Sequence, residues 1–223
     1  MASELEIGET TLTERQKDVL DAALALLVEA GDKLTMTSVA RRASCSKESL
    51  YKWFGDRDGL LTATVQWQAS KVRGVPVRRD DFDLRALKIG LERFAADWLR
   101  VISGKISVAL NRVAISHAGI DRHGLGRDLG GIVLENGPFA MARRLQPLLL
   151  TGREAGYLRF DDEREAFRTF FGLVVRDVQI RLLLGDHFEL SDAAIERDAH
   201  RATEQFLRLY QTQENGPDGP QHS

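Results

Sequence analysis

Between Thr37 and Phe54 two short apolar sets recur at helical spacing, Val39, Ala40 and Ala43 and then Leu50, Tyr51 and Phe54, separated by only Ser44, Cys45 and Ser46 with their followers to Ser49. Helices this short are marginal in water, so each must pack on its neighbour and on a third element. Thr37 reads as the cap of the first helix. Ser46, whose hydroxyl can accept from the backbone amide of Glu48 or Ser49, reads as the cap of the second. Ala40 is small where the helices would cross, Val39 and Leu50 can form their shared contact, and Cys45 is apolar enough to plug the turn. The outer side of the second helix is then polar, which is the grammar of a helix-turn-helix that lays its second helix in the major groove of DNA.

The formal net charge of -2 does not by itself point to nucleic acid. Its distribution says more. From Lys33 to Arg57 six basic residues (Lys33, Arg41, Arg42, Lys47, Lys52, Arg57) face two acidic ones, Glu48 and Asp56. The sole cysteine, Cys45, excludes an intrachain disulfide framework and fits a reducing compartment. Residues 1–10 lack the basic start and apolar centre of a secretory signal, and the apolar run from Ala22 to Val28 is too short to span a bilayer. The expectation is a cytoplasmic protein, nucleoid-associated when bound to DNA, with no membrane partner, no metal and no cofactor.

Between an N-terminal arm and a polar tail rich in glycine and proline, almost everything reads as helix, so the expected fold class is all-α. A first helix starts from a Thr13 and Gln16 capping box and ends at Gly31. Asp56 can cap a helix carrying Leu60, Leu61, Val65 and Trp67. The connector 74–83 then separates an expected helix-turn-helix domain, 12–70, from a larger helical ligand-binding and dimerisation domain, 84–210. In that body an amphipathic pattern runs from Leu84 to Leu110 with a possible break at Gly104, and the stretch 119–131 is glycine-rich and gives no firm element. Pro138 can open a further helix ending near Thr151 or Gly152. The last two helices run from about Asp162 to Leu184 and from a Ser191 cap onward, with Gly185 between them.

Periodicity puts Lys47, Glu48 and Ser49 in the first turn of the reading helix and Lys52 one turn later. Lys47 is placed for a guanine edge or a phosphate and Ser49 for a base, while Glu48 either accepts from a cytosine amine or completes the helix cap. Tyr51 and Lys52 suit the backbone, and Thr37 and Ser38 can meet phosphate through hydroxyls and free amides at a helix start. Arg57 could reach the same strand. Ser46 and Arg42 complete the expected DNA-binding set, although Tyr51 reads equally as a core ring, and Arg41 and Arg42 as solvated side chains.

The block from Leu34 to Leu61 resembles the DNA-binding domain of the TetR family of bacterial repressors. The resemblance rests on Thr37, the Val39 and Ala40 pair, Ala43, the Ser46 cap, Leu50 and Tyr51, Phe54, and then Arg57, Asp58 and Leu60. It implies a serine-capped reading helix, phosphate contacts at Tyr51 and Arg57, an all-helical body that binds a small ligand, dimerisation through the last two helices, and repression relieved by ligand. Two departures stand out. The family usually has glycine and valine where Ser44 and Cys45 stand, and lysine where Arg57 stands. Serine at the turn is tolerated if the backbone stays right-handed. The layout around Leu145 to Phe170 and Phe206 to Tyr210 is similar to a subgroup linked to acyl-homoserine-lactone functions, which implies a lactone or acyl-type effector.

An effector site in a helical body should be an apolar cavity with a few isolated polar groups. The candidates are Trp98, Asn111, His117, Phe139, Met141, Phe170, Val174, Arg176 and Asp177. Arg176 would suit a carboxylate or lactone carbonyl, although Arg176 and Asp177 read equally as a pair across a dimer or as solvated, and His117 as a helix end. Phe167, Phe171, Val175, Val178, Leu182, Ile195, Ala199 and Phe206 could build a four-helix seam with a second copy or simply the core of one. The chain lacks a Gly-x-Ser-x-Gly elbow, a phosphate-binding glycine loop and a His-Glu-x-x-His signature, so no enzyme activity and no catalytic residue are expected. The partners expected are double-stranded operator DNA, a small effector and a second copy of the chain. A helical binding or adaptor protein without sequence-specific DNA recognition remains the alternative.

Overall fold

A computed structural model describes residues 12–30, 34–117 and 129–212. The N-terminal helices are short and strongly capped. In α1 (Glu14–Ala30) the Gln16 amide donates to Thr13 Oγ1 at 3.2 Å while the Thr13 amide donates to Gln16 Oε1 at 2.8 Å, the expected capping box. The expected stop at Gly31 lies outside the described residues. The next helix, α2 (Met36–Arg42), is capped by Thr35, not Thr37: Thr35 Oγ1 accepts from the Ser38 amide at 3.1 Å, and Ser38 Oγ accepts in return from the Thr35 amide at 3.0 Å. Thr37 sits inside the first turn, because the reciprocal serine three residues on is available only to Thr35. Ser46 caps α3 (Lys47–Phe54) through the Ser49 amide, and Asp56 caps α4 (Arg57–Ala69) through the Gly59 amide.

The turn between α2 and α3 departs from expectation. Ser44 has a φ of 50°, so a serine holds the left-handed backbone that the turn requires, at a cost of about 1–2 kcal/mol.

The body is built on α5 (Leu84–Ser103), whose break at Gly104 leads into α6 (Lys105–His117). A short α7 (Leu129–Asn136) follows where its glycines suggested no firm element, and then α8 (Pro138–Glu154), opened by Pro138. The stretch read as one helix to Leu184 is two, α9 (Glu163–Val175) and α10 (Val178–Leu183), because Arg176 adopts a φ of 46° and ends the first. Last comes α11 (Asp192–Tyr210), capped by Ser191 and packed along α5 and α9. Residues 156–159 form a loop where Leu158 and Gln211 make an isolated bridge, and the fold is all-α, a helix-turn-helix unit followed by a larger helical bundle. Among the described residues no helix is long and apolar enough to cross a membrane.

Two cores result. One holds α5, α8, α9 and α11 together around Phe94, Leu145, Phe170 and Phe206. The other packs Leu20, Leu24, Val39, Leu50 and Leu60, and it also takes in Leu110 of α6 and Ile132 of α7. The core of the reading unit therefore continues into the body. Within the reading unit, the indole N–H of Trp67 on α4 donates to Asp21 of α1 at 2.8 Å.

Candidate nucleic-acid interface and effector cavity

Leu50 is fully buried and sets the rotation of α3, so that Lys47, Glu48 and Lys52 are exposed and Tyr51 is 53% exposed. Tyr51 is thus a surface ring, not a core ring. Ser46 is committed to the cap, accepting from the Ser49 amide at 3.1 Å, and the two hydroxyls also lie 3.1 Å apart. The Glu48 carboxyl is held below the usual glutamate range, chiefly by its own backbone amide and then by the Ser46 hydroxyl. Glu48 stands in the first turn of α3, where a negative charge suits the positive end of the helix, and Lys47 and Lys52 are the exposed cations of this helix.

At the start of α2 Thr37 is exposed beside amides that have no intrahelical acceptor. Ser38, expected beside it at phosphate, instead spends its hydroxyl on Thr35, accepting from the amide and donating to the carbonyl at 2.9 Å. Arg42 is likewise diverted: its guanidinium grips both oxygens of Glu29, at 3.0 and 2.5 Å, and braces α2 against α1. This pairing lowers the carboxyl of Glu29 and raises the guanidinium of Arg42. Arg57 donates through Nε to the Leu34 carbonyl at 3.0 Å, tying the segment before α2 to the first turn of α4.

Arg15 is a residue that the sequence reading missed. From α1 its Nη2 donates to the carbonyls of Ala43 at 2.5 Å and Ser44 at 2.8 Å, so it holds the strained turn. The joint to α4 is equally tight. A Cβ on Gly59 would lie 1.9 Å from the Phe54 carbonyl oxygen, so only glycine fits where α3 hands over to α4.

A cavity of about 290 Å³ lies between the end of α4 and helices α5 to α10. Trp98, Ile102, Leu110, Met141 and Phe171 form its apolar walls, and Gln68, Ser107, Asn111, Asn136 and Gln179 are its polar lining. Among the described residues its lining contains no Asp, Glu, Lys, Arg or His. Of the expected ligand residues the cavity therefore brings together Trp98, Asn111 and Met141. Phe139 is 51% exposed and points away from any core, because its position on α8 falls on the outer face. Phe170 and Val174 are buried in the packing of α9, with Phe170 in edge contact with Phe206. Arg176 and Asp177 are exposed at the break between α9 and α10, where Asp177 lies 3.7 Å from Arg181. The side chain of His117 lies outside the described residues. Gln68, Ser107, Asn136 and Gln179 went unforeseen because each lies on a different helix from its cavity partners or in a short element with no visible period.

The end of α4 is also held from the body. Arg144 of α8 donates to the carbonyl of Ala69, the last residue of α4, and to that of Val72 just past it. Gln68 Nε2 donates to Ser107 Oγ at 3.2 Å, joining α4 to α6.

Among the expected dimer residues, Val175, Val178, Ile195, Ala199 and Phe206 are buried within the chain itself, on the faces of α9, α10 and α11 turned towards its own core. They cannot meet a second copy without opening the protomer. Phe167, Phe171 and Leu182 are half-buried, and Phe167 and Phe171 pack on Trp98. On the outer faces Leu209 of α11 is exposed, and Gly172 of α9 has open space where a side chain would stand. Among the described residues no group of three or more His, Cys, Asp or Glu side chains is placed to hold a metal ion.

Residues 19–64 match bacterial regulatory proteins of the tetR family, and residues 90–212 match the C-terminal domain of AefR-like transcriptional repressors. A solved TetR transcriptional regulator from Agrobacterium tumefaciens is 48% identical, with a TM-score of 0.74 over 90% of this chain and 96% of that one. The flavonoid-responsive regulator FrrA is 27% identical, with a TM-score of 0.64 over 90% of this chain and 98% of that one. The HTH-type transcriptional regulator BetI of Burkholderia cenocepacia (strain HI2424) is 40% identical over 73 residues, which is 30% of this chain and spans 38% of that relative's length.

Proposed function

The chain belongs to the TetR family of bacterial DNA-binding transcriptional regulators, and from that premise we propose that it is a dimeric repressor that binds a palindromic operator and is released by a small, largely apolar effector. The observation that carries the reading is the geometry of α3: Leu50 buried beneath it, and Lys47, Tyr51 and Lys52 exposed above, on a short helix fixed by caps at both of its neighbours. Lys47 reads the base edges, Tyr51, Lys52 and Thr37 hold phosphate, and Arg57 keeps the α2 entry in place while its charge faces the same strand.

The effector binds in the cavity at the end of α4. Support comes from the AefR-like character of residues 90–212, and from the likeness to FrrA, a regulator that responds to flavonoids. A lactone or acyl compound is one chemistry that an uncharged, apolar chamber accepts. Coupling follows from packing. Leu110 and Ile132 reach into the reading unit's core, and their neighbours Asn111 and Val133 line the cavity. An occupant that favours one placement of α4 by a few kcal/mol changes the spacing of two reading helices enough to switch binding. Twofold assembly uses the outer faces of α9 and α11, where Gly172 lets a partner helix approach closely and Leu209 awaits cover. No catalytic step forms part of this reading.

The test is an affinity-versus-salt series on a selected operator and a scrambled site. Lys47→Ala should cost roughly 1–3 kcal/mol on the operator and relax one base position. Arg57→Ala should weaken both sites, by destabilising the α2 entry and by removing a positive charge near the backbone. Two protomers should bind per site. Unchanged operator affinity in both variants, or a single protomer per site, would sink the register and the dimer respectively.

A further inference from the structure

Resting on the effector cavity just proposed, the structure assigns its ligand class: we propose that the effector is an uncharged, mainly apolar molecule carrying an N–H or O–H group that hydrogen-bonds to the Gln68 side-chain carbonyl. Three observations converge on this. First, Gln68 is only 8% exposed and lines the cavity, and its Oε1 is buried without a hydrogen-bond partner. A buried carbonyl left unpaired is costly, so a donor brought by the occupant gains the whole of that deficit. Second, two of the three other carboxamides of the lining, Asn111 and Asn136, are already oriented. Asn111 Nδ2 donates to the Ser107 carbonyl at 2.8 Å, and Asn136 Nδ2 donates to the Ile132 carbonyl at 2.9 Å. A carbonyl can only accept, so these two amide groups are fixed with one N–H on their own helices, and each keeps its carboxamide oxygen as an acceptor. The lining therefore offers acceptor oxygens on Asn111 and Asn136 beside that of Gln68. Third, among the described residues the lining has no ionisable side chain, so a carboxylate, phosphate or ammonium would meet no counter-charge from them.

The same contact reports occupancy. Gln68 lies in the last turn of α4, one residue before Ala69, whose carbonyl Arg144 grips from α8, and its Nε2 holds Ser107 on α6. A donor arriving at Oε1 turns one link between α4 and α6 into a three-membered chain of ligand, Gln68 and Ser107. Phenolic and secondary-amide ligands share this donor chemistry, and they differ in shape. Trp98 and Phe171, with ring centroids 5.0 Å apart, offer one flank of the chamber to a flat ring or a folded acyl chain.

Isothermal titration of the full-length protein with matched pairs tests the assignment: 2-naphthol against 2-methoxynaphthalene for phenols, and N-hexanoyl-homoserine lactone against its N-methyl form for amides. In at least one pair the wild-type protein should prefer the donor by roughly tenfold to hundredfold, and Gln68→Met should erase that preference while keeping affinity for the methylated compound. The pair that shows the preference identifies the source chemistry. Equal binding within both pairs, or a preference that survives Gln68→Met, overturns the Gln68 assignment and leaves the cavity standing. Failure of all four probes to bind overturns the effector cavity as well. Equal binding within both wild-type pairs refutes the assignment whether or not Gln68→Met folds, and Gln68→Leu is the second variant in which the preference should vanish.

Discussion

Arg15→Ala separates a brace from a DNA contact. Arg15 lies on α1, outside the helix-turn-helix, and donates to the Ala43 and Ser44 carbonyls at the one turn whose serine has a positive φ. Two charge-assisted bonds would be worth several kcal/mol if buried, but the side chain is 46% exposed and water replaces much of what is lost, so about 1 kcal/mol per protomer is expected. For a protein of this size that lowers the melting temperature by roughly 2–4 °C. If the turn must be ordered before α3 docks, both halves of a dimer incur the loss, and about 2 kcal/mol is roughly a thirtyfold weaker operator complex. The salt dependence is the discriminating measurement. A brace touches no phosphate, so plots of log affinity against log salt for wild type and variant should run parallel. Were Arg15 a phosphate ligand, the slope would fall by about 0.9 for each protomer. A changed slope, or an unchanged melting temperature with unchanged affinity, would refute the reasoning.

Ser44→Gly should do the opposite at the same turn. It relieves about 1–2 kcal/mol of left-handed strain and gives part of it back as unfolded-chain entropy, for a net gain under about 1 kcal/mol in urea denaturation. Acid should destabilise the protein through three carboxyls held below their usual range: Glu29 by its hydrogen bonds from Arg42, Glu48 by its own backbone amide, and Glu204 by Lys88. A lowered folded value means that their contribution is complete above the ordinary glutamate range and is lost as pH falls through the folded values. Urea midpoints measured from pH 6 downward should show this fall, and Glu29→Gln should make it shallower.

Local signals were legible where a single stretch of chain determines the outcome. Ser46, Asp56 and Ser191 act as caps because a short side-chain oxygen reaches an amide three residues ahead, whatever the rest of the fold does. The burial of Leu50 beneath an exposed Lys47 and Lys52 follows equally from helical period. The cap at Thr35 was misplaced by two residues because two threonines compete there, and only the reciprocal bond with Ser38 decides between them. The break at Arg176 had no sequence signal, since arginine is an ordinary helix residue and the positive φ there goes with α10 leaving the axis of α9 to pack on α5 and α6.

Sequence alone determined the α-helical periods, the capped reading helix and the order of helix-turn-helix helices followed by a helical body, because these depend on neighbours within one or two turns. Tertiary structure decided which charges are available and where the cavity lies. Arg42 looked free for DNA until Glu29, thirteen residues away along the chain, claimed it across a helix contact. Phe206 looked apolar enough for a partner until α5 and α9 enclosed it, and Gln68 acquired meaning only when α6, α7 and α8 closed around its carbonyl. Side chains far apart in sequence share an environment only after the helices pack, and hydrophobic period reports that a face is buried without saying against what.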